Sequence, residues 1–268
     1  MPPINLSSTT ASTAVSSTPD PAPCGLCAIH QPNFFPRLST LAKLFAADYW
    51  IVLDDVQFTR RDYQHRARLA ALDDPDDCRW LSIPTHLSCG RQTLIREAVM
   101  AEPPRSRQRT ARVLRQHYGT STHWPAFEQA LAPVLDAFSG DRTAAVAEAS
   151  ARALLDLLGW RGRIVRSSGL PARPGRSQRL ADLAAAVGAR SYLCGPGGMH
   201  YLRPAPFAAY NIAVIPFATP HTGLWEGSHT TSAVRPLMQA GPSGLATELR
   251  MVAARAHATP PVAAATPV

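Results

Sequence analysis

The chain has 268 residues, 46% of them apolar, and a formal charge of +8 from 27 basic against 19 acidic side chains. That apolar share supports a real core and excludes global disorder, and no run of about 18 apolar residues exists to span a membrane. Lys43 is the sole lysine among the bases, so the pI near 9.8 reads first as an arginine-rich composition, not as nucleic-acid binding.

Residues 1–23 hold nine Ser/Thr and five Pro and are expected to form a disordered tail. They lack the basic start and apolar stretch of a secretory signal. With five scattered cysteines that make a poor disulfide framework, a cytoplasmic protein is expected. Residues 24–256 read as one α/β domain, with a helical insertion over about 103–160, and residues 257–268 as a loose end. Cys24-x-x-Cys27 has no second ligand pair at zinc spacing and is read as two thiols at the start of a buried strand.

Residues 26–30 form the first expected strand, broken by Gln31-Pro32-Asn33 because proline removes a donor and disfavours helix before it. Leu38, Leu41, Leu44 and Phe45 follow at helical spacing, and residues 49–53 make a second strand ending at Asp54-Asp55. Residues 80–83 are a third strand candidate. Helical spacing then covers 105–117, 126–138 and 143–158, with Gly159 as a stop. A strand at 163–167, a helix capped by Ser177 and ended by Gly188, a strand at 191–194 and a last strand at 212–217 complete the order. The alternation predicts an α/β fold: a mostly parallel sheet in Rossmann-like layers with a helical insertion in the middle of the chain.

In such sheets ligands sit beyond the carboxyl ends of strands. Three polar clusters fall at those ends: His30-Gln31-Pro32-Asn33, Asp54-Asp55-Val56-Gln57 and Cys194-Gly195-Pro196-Gly197-Gly198. His30 suits a general base. Asp54 and Asp55, adjacent on extended chain, are expected to point to opposite faces, one toward a substrate amine. Arg61 and Arg66 have the fork geometry that grips carboxylate or phosphate. Cys194, before a glycine-rich turn, is the candidate thiol nucleophile, with His30 or His200 as its partner, and His221 follows the last strand. The remaining histidines show no metal-ligand spacing, and no P-loop is present, Lys43 lying elsewhere. No cofactor is identified.

The segments Ile29-His30-Gln31-Pro32-Asn33-Phe34-Phe35-Pro36 and Leu53-Asp54-Asp55-Val56-Gln57-Phe58, then Arg61-x-x-Gln64-x-Arg66, closely resemble the WbqC-like family. So do Trp80-Leu81-x-Ile83-Pro84, Arg166-Ser167-Ser168 and Tyr192-Leu193-Cys194-Gly195-Pro196-Gly197-Gly198 with Tyr201-Leu202. The resemblance runs from about residue 27 to about 242. It implies a role in O-antigen and other surface-polysaccharide or natural-product clusters, as an amino-acid (glycine) or acyl transferase. Placement at the strand ends makes His30, Asp54, Asp55 and Cys194 the catalytic candidates. Gln31, Asn33, Gln57, Arg61, Gln64 and Arg66, with Gly195, Gly197 and Gly198 and with His221, are the substrate-binding candidates. The chain departs from the family pattern at His65, where Asn is usual, at Cys194, where Ser is common, and at Arg235, where an acid is common.

The expected function is thus an aminoacyl or acyl transferase acting on an amine of a sugar nucleotide or specialised-metabolite intermediate. Its substrate is a small anionic or amine-bearing molecule, and its partner an acyl-donor carrier or an aminoacyl-tRNA. Two alternatives stand beside it: a Cys194-dependent acyl hydrolase or cyclase, and a non-enzymatic carrier- or RNA-binding module using the basic helix Arg105–Arg115. A looser similarity to nucleotidylyltransferases rests on His30 alone, without the Gly and second His of their loop.

Overall fold

A computed structural model describes residues 25–262. Cys24 and the tail expected over 1–23 lie outside these residues. Strand β1 (Leu26–His30) leads through a turn into α1 (Leu38–Phe45) and β2 (Tyr49–Val52). Two antiparallel ribbons follow, β3 (Arg66–Ala70) with β4 (Cys78–Ser82), and β5 (Thr85–His86) with β6 (Val99–Met100). The helical insertion is α2 (Pro103–Tyr118), α3 (Trp124–Ala130), α4 (Ala132–Asp136) and α5 (Thr143–Leu157). The chain closes with β7 (Arg163–Arg166), α6 (Arg176–Ala186), β8 (Ser191–Cys194), α7 (Pro196–Met199), α8 (Ala205–Ala208), β9 (Ala213–Pro216) and α9 (Val234–Ala258).

The main sheet is five-stranded and parallel, in the order β7-β2-β1-β8-β9. Taken in sequence order among its own strands this is 3-2-1-4-5, the order of a doubly wound sheet, and the direction of winding reverses between β1 and β8. The period-2 alternation of each strand separates two cores. Leu26, Ala28, Trp50, Val52, Leu193 and Ile215 pack on the side of α1, α5 and α9. Cys27, Ile29, Ile51, Tyr192, Cys194 and Val214 pack on the other side, against Ala181, Leu183 and Ala184 of α6 and Phe207 of α8.

Several sequence expectations are corrected. The strand at 80–83 does not join the sheet; it is part of β4 and pairs with β3 in register Ala67↔Leu81, and its Arg79 and Trp80 face solvent. Ser177 does not cap α6. Gly175, at φ 106, precedes the helix, and the Ser177 hydroxyl accepts from the Arg203 N–H instead. The end from 257 is not loose through its described part. Helix α9 runs to Ala258, and Val262 donates its N–H to the Val214 carbonyl. Gly159, at φ 78, ends α5 in the left-handed region as expected. Among the described residues, no helix is long and apolar enough to cross a membrane.

Candidate functional site

A cavity of about 730 Å³ opens at the carboxyl ends of β1, β8 and β9, at the point where the sheet order reverses. Ile29, His30 and Gln31 form one wall and Gly195, Gly197 and Gly198 another. Arg37 and Lys43, on either end of α1, line it together with Ser39 and Thr40. Thr219, His221 and His229 close the side beyond β9, and Asp62 is the carboxylate on the lining. This size suits a drug-sized or cofactor-sized ligand.

His30 is held in one tautomer. Its Nδ1 lies 2.8 Å from the Gln31 carbonyl, which only accepts, so Nδ1 carries the proton and Nε2 the lone pair. Its own carbonyl accepts from Leu53 N–H at 3.0 Å and from Trp50 Nε1 at 3.2 Å, which fixes the backbone beneath the ring. Burial pushes its pKa down to about 3, helped by the nearby Lys43 charge, so the ring is neutral at neutral pH. Gln31 is oriented in turn by Gln64, which donates to Gln31 Oε1 at 2.7 Å and accepts from Thr59 N–H at 2.9 Å. Gln64 is buried and acts on the cavity through Gln31.

Lys43 is 8% exposed, and its Nζ makes one long hydrogen bond, 3.4 Å, to the Ile29 carbonyl. Burial first, and Arg37 next among the lowering causes, pushes its pKa down to about 8. Arg37 donates to the His229 carbonyl at 2.9 Å and lies over the Tyr63 ring at 4.3 Å, with its Nε buried and unpartnered. The His221 and His229 rings stand 5.4 Å apart, and burial with the neighbouring His221 and Arg37 charges lowers the His229 pKa.

The remaining expected site residues do not reach this cavity. Asp54 is buried and accepts from Ser168 N–H at 3.0 Å, Ser168 Oγ at 2.8 Å and Ser167 Oγ at 3.1 Å. Asp55 accepts from Ser167 Oγ and pairs with Arg179 at 2.5 Å. The two carboxylates therefore converge on one serine instead of facing opposite ways, because the chain bends after β2 and strand alternation ends there. Both tie the end of β2 to the turn after β7 and are not on the cavity lining. Arg66 donates to the Asp62 and Arg61 carbonyls and lies over the Trp80 ring at 4.2 Å, so its fork is occupied, and Arg61 is exposed away from the lining. Gln57 bonds to the Arg91 carbonyl. Asn33 is 2% exposed, with both side-chain polar atoms unpartnered, and is not on the cavity lining.

Cys194 is also corrected. Its thiol is buried, donates weakly to the Gly195 carbonyl at 3.7 Å, and is raised in pKa by burial, the opposite of an activated nucleophile. It lies under the glycine loop. A Cβ on Gly198 would come within 2.6 Å of its sulfur, so glycine is needed there for close approach. The Cys27 thiol is likewise buried and raised. Among the described residues, no group of three or more His, Cys, Asp or Glu could hold a metal ion. On α2, Arg105 pairs with Glu102 and Arg115 with Glu128, as on a solvated helix face. Arg235, where the family pattern has an acid, donates to the Ala71 carbonyl at 2.9 Å, and His65 packs its ring 5.3 Å from Phe58.

Lys43, Arg37 and His229 escaped the sequence reading. The face marked by Leu38, Leu41, Leu44 and Phe45 leaves Lys43 off the apolar stripe, where a lysine is expected to face water, whereas the structure buries it. The only sign in the sequence was a single lysine in a chain that otherwise uses arginine.

A family model described as the WbqC-like protein family matches residues 31–225. The chain is 24% identical over 187 residues to the uncharacterized protein Rv1507c of Mycobacterium tuberculosis (strain ATCC 25618 / H37Rv), covering 70% of this chain and 79% of that one. No solved structure matches.

Proposed function

From the premise that this chain belongs to the WbqC-like protein family, we propose that it is a transferase moving an acyl or aminoacyl group onto an amine. The acceptor is a sugar nucleotide or a specialised-metabolite intermediate. The observation that carries this reading is His30, a neutral imidazole locked with its Nε2 lone pair available at a switch-point cavity. The acceptor nitrogen attacks the acyl carbon of the donor and a C–N bond forms. His30 Nε2 takes the proton released from that nitrogen. Collapse then breaks the bond to the donor's leaving oxygen or sulfur, which receives the proton from His30.

Asp62 replaces the Asp54-Asp55 pair as the group that holds the amine, being the carboxylate on the lining. The low basicity of His30 comes from burial and from the Lys43 and Arg37 charges. An anionic donor offsets those charges and raises the basicity of His30, while the contribution of burial stays. The thiol-dependent alternative lacks support, since Cys194 is buried beneath the loop.

The test is a mass-spectrometric screen of the purified chain with thioester, ester and aminoacyl donors against amino-sugar and amino-acid acceptors. Once a product is found, His30→Gln is expected to lower kcat by about 10²–10⁴-fold with an unchanged circular dichroism spectrum. Full turnover by a folded His30→Gln protein refutes the assignment.

A further inference from the structure

Two cations face the cavity without a carboxylate partner among the described residues. Lys43 Nζ has three hydrogens and one long acceptor, the Ile29 carbonyl, and no ion pair among the described residues. The groups whose charge reaches it are Arg37 and the thiols of Cys194 and Cys27, and Asp62 is not among them. Arg37 contacts a carbonyl and an aromatic ring, and its Nε is buried without an acceptor. Buried charges are ordinarily paired, so a missing counter-ion on the wall of a large cavity is a specification for a ligand.

We propose that Lys43 and Arg37 form a phosphoryl subsite that holds the phosphate or diphosphate of a small-molecule substrate. Two like charges call for a group of charge near −2, which a phosphate or diphosphate supplies and a single carboxylate does not. Ser39 and Thr40, in the first turn of α1, line the same wall, where the helix dipole favours an anion. Burial first, with the Arg37 charge, lowers the basicity of Lys43, as expected for an ammonium with no carboxylate beside it among the described residues. The transferase reading enters only in calling the phosphorylated molecule the donor or acceptor of the acyl group.

The test is isothermal titration calorimetry of the full chain with inorganic pyrophosphate, in buffer free of phosphate and sulfate. One saturable site is expected, with Lys43→Met and Arg37→Gln each weakening it about tenfold or more. Arg109→Ala, on the exposed α2, is expected to leave it unchanged. Acetate at matched ionic strength is expected not to compete. Since Lys43 is the only lysine of the chain, acetylation by an amine-directed reagent reads the site in the unmutated protein by peptide mass spectrometry. Pyrophosphate is expected to protect Lys43, which keeps the test decisive if Lys43→Met fails to fold. No saturable binding, no protection, equal competition by acetate, or an equal loss in Arg109→Ala overturns the proposal. If pyrophosphate binding depends on Lys43 while no donor–acceptor pair in the screen gives product, the transferase reading falls and the subsite stands; if His30→Gln keeps full turnover, only the assignment of His30 as the base falls. If His30 is required and pyrophosphate does not bind, the reverse holds.

Discussion

Replacing Lys43 by methionine should stabilise the ligand-free protein, and more at pH 7 than at pH 10. The physical basis is a folded-state pKa of about 8 against an ordinary value of 10.5. Because the folded pKa is lower, the unfolded chain binds more protons between these two values, and stability rises with pH across that window. At pH 7 the ammonium is present in both states, and its burial costs about 3 kcal/mol relative to the neutral amine. At pH 10 that cost falls to about 1 kcal/mol. Methionine fills similar volume with no charge, and forfeits one long hydrogen bond to Ile29 worth about 1 kcal/mol or less. Lys43→Met should therefore exceed the parent by about 2 kcal/mol at pH 7, with the gap narrowing by about 2 kcal/mol by pH 10. Arg37, Cys27 and Cys194 act on Lys43. Both thiols titrate upward and destabilise only as the pH passes above their ordinary value of 9.0, and they remain in both proteins, so their effect largely cancels in the difference. The assay is urea denaturation from pH 6 to 10 in phosphate-free buffer. A gap that stays constant with pH, or a destabilised variant at pH 7, refutes the buried-ammonium argument.

Other consequences of the geometry are equally direct. Asp54→Asn should destabilise the fold by about 1.5–3 kcal/mol in urea, since it weakens charge-assisted bonds to Ser167 and Ser168, while leaving pyrophosphate affinity intact. Lost binding at unchanged stability would contradict that placement. Gly198→Ala should cost about 1–3 kcal/mol because its Cβ meets the Cys194 sulfur at 2.6 Å. The double variant with Cys194→Ala should recover most of that loss, and additive losses would count against the close approach. Iodoacetamide should label exposed Cys89 first and reach Cys27 and Cys194 only in denaturant, as read by peptide mass spectrometry. Rapid labelling of Cys194 in the native state would revive a nucleophilic thiol.

Much of the fold was legible locally. Residues 26–30 and 191–194 are apolar runs bounded by breakers, and their bounds match β1 and β8 residue for residue. The strand-end rule also carried His30, Gln31 and the glycine loop to one cavity, because all strands of a parallel sheet end on one edge. The same rule placed Asp54 and Arg66 near that edge but said nothing of their partners. Ser167 is 113 positions from Asp54, and a hydrogen bond across that span follows from the pairing of β2 with β7, not from any local pattern.

What the chain determined by itself is therefore the set of elements and the edge on which chemistry collects, since both follow from periodicity and from breakers near in sequence. What only the tertiary structure decided is which side chains remain available on that edge. Asp54, Asp55, Arg66 and Cys194 are each taken up by a neighbour or covered by a loop. Lys43, off the apolar stripe of its helix, is enclosed because α1 packs against α5 and α9 and turns this residue onto the cavity lining instead of into water. Its burial without a counter-ion among the described residues is a property of three-dimensional surroundings, and no spacing along the sequence encodes it.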